Sequence, residues 1–195
     1  MHIADGVLPT SLCLGAAVVS VAGAYMFSRH ARPEEAPRMG MLAAAVFVAS
    51  LVHFPVVGVS VHFGLYGLVG VLLGKRAFPV IFIALLLQSL LLQHGGIVSL
   101  GVNTLNMGAG ALAAFAVWSV PAMPQRTRAF AAGFVGSLLP AVLMATEFFL
   151  VDYGKGFFAI AALYAVVAIA EGVLTLVLVD CFQRLKPEVL APIEV

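Results

Sequence analysis

Residues 157–182 read Phe-Phe-Ala-Ile-Ala-Ala-Leu-Tyr-Ala-Val-Val-Ala-Ile-Ala-Glu-Gly-Val-Leu-Thr-Leu-Val-Leu-Val-Asp-Cys-Phe. From Phe157 to Val179 this run carries one charge, Glu171. A helix needs about 20 apolar residues to cross the ~30 Å hydrocarbon core of a bilayer. The run therefore reads as a transmembrane helix, and Glu171 as a charge held at membrane depth.

The rest of the chain repeats the pattern. Further apolar segments cover 11–28, 39–57, 60–74, 77–93, 103–122 and 129–150. The 195 residues are 63% hydrophobic and 10% charged, against roughly 25% charged in a soluble domain. The expectation is all-α: a polytopic membrane protein, one integral domain over 1–195, with seven spanning helices behind an N-terminal segment 1–10. The segment 60–74 is short and rich in glycine, so it should pack against neighbours rather than face lipid. A net charge of +1 gives no reason to expect nucleic acid. Asp5 and the absence of a basic leader argue against a signal peptide.

Charge orients the bundle. With the N-terminus outside, Arg29, Arg32, Arg38, Lys75, Arg76, Arg126, Arg128, Arg184 and Lys186 all face the cytoplasm, and only Lys155 lies outside. The positive-inside rule then gives N-out, C-in, in an inner or plasma membrane. Of the five histidines, His2, His53, His62 and His94 fall at the outer face, and only His30 falls inside. Imidazole is the commonest metal-ligating side chain.

The chain opens Met1-His2-Ile3-Ala4-Asp5-Gly6. A terminal amine, the His2 amide nitrogen and the His2 ring can close two fused chelate rings on one ion. Met1 should be retained, because histidine is too large to allow its removal. Three coplanar nitrogens suit Ni(II) or Cu(II). The competing reading is a polar residue at a frayed terminus. His62 follows Pro55 and Gly58 and is expected to open the third helix; it reads as a fourth in-plane nitrogen or as an interfacial polar residue. Gln88, Gln93, His94, Asn103 and Asn106 interrupt apolar sequence between 88 and 108. Gln88, Asn103 and Asn106 could orient metal-bound imidazoles, or could join helices by hydrogen bonds. Glu171 reads as functional, as a protonated packing acid, or as a partner for a basic residue of another subunit. Glu147 reads as interfacial, and Asp180 as an i,i+4 surface pair with Arg184.

These residues resemble the CbiM/NikM family, the substrate-binding components of energy-coupling factor transporters for cobalt and nickel. Met1-His2-Ile3-Ala4-Asp5-Gly6-Val7-Leu8 is similar to the family's M-H-I-x-D-G-x-L start. Phe54-Pro55-Val56, Ser60-Val61-His62, Gln88-Ser89-Leu90 with Gly95-Gly96, and Leu100-Gly101-Val102-Asn103-Thr104-Leu105-Asn106-Met107 resemble its later motifs, as do Glu171-Gly172 and Leu185-Lys186-Pro187-Glu188. The resemblance implies a seven-helix bundle with the N-terminus tucked into the metal site. It implies the Met1 amine, the His2 amide and ring, and His62 as ligands of a transported Ni2+ or Co2+. His53 and His94 are further histidines that could add an axial ligand and alter the metal choice. The implied partners are a transmembrane T component, two ATP-binding-cassette ATPases and a separate small CbiN/NikN-like membrane protein. The small faces at Ala45 and Ala49, and at Ala16, Ser20 and Ala24, are candidate docking surfaces for the T component.

No G-x-x-x-x-G-K-[ST] motif occurs, so the ATPase should be a separate chain and the protein should not be an enzyme. A stand-alone metal permease or a metal sensor is the alternative. An intramembrane hydrolase built on Gly58-Val59-Ser60 is remote, because the motif lacks its second glycine.

Overall fold

The computed structural model describes residues 2–56, 59–153 and 156–190. The N-terminal segment turns at Asp5–Gly6 and reaches Pro9, after which α1 runs Thr10–Ser28. A 3-10 turn, Pro33–Glu35, leads into α2, Ala36–Leu51. A hairpin follows, with β1 His53–Val56 and β2 Val59–His62. Then come α3 Tyr66–Leu73, a 3-10 turn Gly74–Arg76, α4 Ala77–Leu92, α5 Leu100–Trp118, α6 Gln125–Leu150 and α7 Phe157–Leu185. A last 3-10 turn, Pro187–Leu190, follows α7.

Among the described residues, five stretches are long and apolar enough to cross a membrane: Thr10–Ser28, Tyr66–Leu92, Leu100–Trp118, Gln125–Leu150 and Phe157–Leu185. The protein is thus a multi-pass, mainly helical membrane protein. The segments expected at 60–74 and 77–93 give α3 and α4, joined through the 3-10 turn at Gly74, whose φ is +56°. The rings of His62 before α3 and His94 after α4 lie 5.6 Å apart, so the chain doubles back at that turn. The segment expected at 39–57 gives the 16-residue α2, about 24 Å long at 1.5 Å per residue.

The hairpin corrects the sequence reading, which continued one helix to residue 57 and began the next at 60. Val52 is already extended, at φ −81° and ψ 93°. Pro55 lacks an N–H and pushes Phe54 out of helical space, and Val56, Val59 and Val61 favour the pleated conformation. The strands pair antiparallel with His53 opposite His62. His62 therefore ends a strand and does not open α3.

Small residues set the packing. α5 touches α1, α3, α4 and α6, and α7 packs along α6. A Cβ on Gly67 of α3 would lie 2.4 Å from the Gly133 Cα of α6, and one on Gly101 would lie 2.3 Å from the Ala17 nitrogen of α1. These helices meet backbone to backbone, as small residues permit in membranes.

Two of the basic residues counted as loop charges are built into the fold. Arg76 is buried and donates to Glu35 Oε2 at 3.0 Å, Phe27 O at 2.5 Å and His30 O at 2.8 Å. It thereby binds a carbonyl in the last turn of α1 and one in the turn just beyond it. Burial works against the charge of the Glu35 carboxyl, but hydrogen bonds from Arg76 and Arg32 outweigh it and hold the pKa below the usual range. Arg38 donates to Leu72 O and Val189 O. Asp180 does not form the expected pair with Arg184; it meets Arg126 of α6 at 2.6 Å. The tighter geometry joins α6 to α7 rather than bracing one turn of α7.

Candidate metal centre

The N-terminal segment is pinned along the start of α5. Ile3 is 1% exposed. Its N–H donates to Asn103 Oδ1 at 2.8 Å, and Asn103 Nδ2 returns a bond to Ile3 O at 2.9 Å. Ser99 Oγ donates to the same carbonyl at 2.7 Å. The Asp5 carboxylate accepts the Ser99 N–H at 2.9 Å. The side chain amide of Asn103 thus reads the backbone of Ile3 as a neighbouring strand would. Losing it would leave the buried Ile3 N–H unmatched, at about 1–3 kcal/mol, while Ile3 O would keep the Ser99 hydroxyl. Gly96 closes the clamp from the other side, since a Cβ there would stand 1.8 Å from Asp5 Oδ1.

This pinning delivers His2 to His62. His2 Nδ1 and His62 Nε2 are 3.0 Å apart. The partners of the opposite ring nitrogens fix both tautomers. His62 Nδ1 lies 3.0 Å from the Phe63 carbonyl, which can only accept, so Nδ1 carries the proton. His2 Nε2 lies 3.0 Å from Gln88 Oε1, again an acceptor. In the neutral rings both facing nitrogens therefore carry lone pairs. Two lone pairs at that distance repel unless a cation, a proton or a metal ion, stands with them.

His94 is the third member. The C-terminus of α4 turns over through Gln93, whose φ is +51°. The His94 N–H then bonds back to Gln88 O at 3.2 Å, which is a helix-terminating αL closure. That turn sets the His94 ring 4.4 Å from His2 and 5.6 Å from His62, centroid to centroid, edge-on to both at 67° and 68°. The ligand atoms of His2, His62 and His94 all lie within 4.8 Å of one another. The His2 and His62 rings are stacked at 30°, so His94 approaches from a different direction.

Burial lowers the His2 pKa well below 6.5, and the neighbouring His62 and His94 push it further. The undocked segment therefore binds a proton at His2 more readily than the docked one. Docking is strongest above about pH 6.5 and weakens as pH falls below it. Asp5 behaves differently. Burial would raise its pKa, but hydrogen bonds from the amides of Ser99, Val98 and Ile97 lower it overall, with the Ser99 hydroxyl shared between this carboxylate and Ile3 O. Its contribution is lost only as pH falls through the carboxylate range.

The other sequence candidates fall in several places. Asn103 holds the N-terminal segment. Asn106 donates to Glu147 Oε2 at 2.8 Å, away from the histidines. Glu171 is 1% exposed, and its Oε1 accepts the N–H groups of Gly64 at 2.6 Å and Leu65 at 3.1 Å. The buried acid thus secures the corner just after His62, where Leu65 takes φ +55°. Met1 and the side chain of His53 lie outside the described residues. Ala45 and Ala49 on α2 are half-buried, and Met41, Ala44 and Val48 are the exposed positions beside them. Sequence reasoning missed Ser50 and Ser99. Neither stands out in composition, and Ser99 merely precedes the asparagine block.

This architecture is shared with known proteins. A solved transition metal transporter superposes with a TM-score of 0.86 at 22% identity, covering 94% of this chain and 93% of that one. Cobalt transport protein CbiM 1 of Pelobacter propionicus is 34% identical over 217 residues, covering 100% of this chain and 96% of its own. The fused nickel transport protein NikMN of Rhodobacter capsulatus is 31% identical, covering 98% of this chain and 64% of its own. The family model for the cobalt uptake substrate-specific transmembrane region matches residues 2–189, and the chain belongs to that family, CbiM.

Proposed function

We propose that the protein is the metal-capturing membrane subunit of an energy-coupling factor transporter for Ni2+ or Co2+, with seven spans, its N-terminus outside and its C-terminus in the cytoplasm. The ion is taken at the outer face by the Met1 amine, the His2 amide and Nδ1, and His62 Nε2. The observation that carries this reading is the pair of facing ring nitrogens 3.0 Å apart, each with its opposite nitrogen turned to an acceptor. Metal–imidazole bonds of about 2.1 Å at a right angle span the same separation. A right angle is the cis angle of both square-planar and octahedral ligation; the proposed set of four in-plane nitrogens with a deprotonated amide is what favours nickel over cobalt. An edge-on imidazole from His94, or one from His53, would add an axial ligand and make the site more hospitable to Co2+.

Translocation in this reading needs a T component, two ATP-binding-cassette ATPases and a small CbiN/NikN-like membrane protein. The length of the fused nickel relative beyond this chain supports a further component. Ala45 and Ala49 are the proposed contact with the T component. A stand-alone permease is the alternative, and uptake separates the two. Cells expressing this chain with its T and ATPase partners should accumulate Ni2+ or Co2+, and cells expressing the chain alone should not. Ala45→Trp should abolish accumulation while the purified protein still binds metal. Equal uptake with and without the ATPases would favour the permease.

A further inference from the structure

We propose that Ser50, at the end of α2, is a positioning residue that sets the metal-binding tautomer of His2 through Gln88. The proposal rests on His2 being a ligand and adds what selects the ligating atom. Ser50 and Gln88 are 1% and 0% exposed. Ser50 Oγ donates to Phe47 O at 2.8 Å, which spends its one proton. It can therefore only accept from Gln88, whose Nε2 lies 2.6 Å away. With its NH2 held by Ser50, Gln88 must turn Oε1 to His2. An acceptor there requires Nε2–H on His2 and leaves Nδ1 with the lone pair. Only Nδ1 can close a six-membered ring with the amide nitrogen of the same residue; Nε2 points away from it. The two ring nitrogens are thus assigned by a directional chain that begins at a backbone carbonyl of α2.

Without Ser50 the Gln88 amide is free to turn over. Its NH2 would then face His2 Nε2 and call for a lone pair there. Nδ1 would carry the proton and donate it to His62 Nε2, closing the pair that the metal has to open.

The test reads the histidine ring-nitrogen chemical shifts of the metal-free protein, and Ni2+ affinity, for wild type, Ser50→Ala and Gln88→Glu. Work at about pH 7.5 keeps ordinary imidazoles neutral. Wild type should show His2 protonated on Nε2. Ser50→Ala should show a mixture of tautomers and bind Ni2+ about tenfold more weakly, the low end of what outer-shell partners contribute. Gln88→Glu offers His2 an acceptor oxygen in either orientation, so it should keep Nε2–H and lose less affinity than Ser50→Ala. An unchanged tautomer in Ser50→Ala would overturn the proposal. So would equal losses in the two variants, which would report packing alone. The ligand reading is checked separately by His2→Ala: wild-type affinity in that variant would sink the ligand set, while the tautomer readout in metal-free protein would still judge Ser50.

Discussion

One residue added before Met1 is expected to weaken Ni2+ binding by roughly 100-fold or more, at least as much as His2→Ala, while the fold persists. Partners that only orient a ligand contribute about 10–100-fold to metal affinity, so loss of a ligand should exceed that range. The extension converts the terminal amine into an amide and removes the first of the two fused chelate rings. It leaves the clamp on Ile3 untouched, because Asn103 and Ser99 bind the Ile3 backbone and not the terminus. Ni2+ titration of a tagged protein before and after removal of the tag measures the effect. Full affinity with the extension in place would remove the amine from the ligand set.

His62→Ala is the second large effect. It should cost a similar factor, whereas His30→Ala should change affinity by less than about twofold. His30 is exposed in the basic turn after α1 and takes part in the fold through its backbone carbonyl, which receives Arg76. His62 is 3% exposed, at the end of β2. Its Nδ1–H is committed to Phe63 O, so its Nε2 is preset as a lone pair. Isothermal titration of both variants decides the matter. Equal losses at His30 and His62 would show that the chain is threaded the other way or that the ligands lie elsewhere.

The sequence made the membrane bundle and the gathering of histidines legible, because both rest on one-dimensional signals. Apolar length marks the spans, and their alternation reads as placing His2, His53, His62 and His94 at one face, of which the structure brings His2, His62 and His94 together. The segment 53–62 was legible as an outer turn broken at Pro55 and Gly58, but its strand pairing was not, because hydropathy does not separate a short strand from the end of a helix. The duty of Glu171 was hidden for another reason. A buried acid in a span suggests chemistry or a charged partner, yet here it meets two backbone N–H groups that are distant in sequence. Arg126 with Asp180 shows the same limit, since an i,i+4 neighbour was available and a facing helix supplied the better geometry. Ser50 carries no signal of its own among the small residues of α2. Its role exists only once Gln88 and His2 are brought to it.

Competition with protons tests the chelate most directly. An amine with a reference pKa of about 7.7–8.0, an imidazole near 6.5 and a backbone amide must all give up protons to bind the metal. Burial already keeps His2 neutral to lower pH, so the amine and the backbone amide carry most of the competition with protons. Protons return as pH falls, and affinity falls with them. Calorimetric titrations at about pH 5.5, 6.5 and 7.5, on protein with its native N-terminus, should show affinity dropping by more than one decade per pH unit below about pH 6. A site built instead on Glu147 or Glu171 would hold its affinity down to about pH 5, near the reference carboxylate value. A flat profile across that range would contradict the amine–amide–imidazole site.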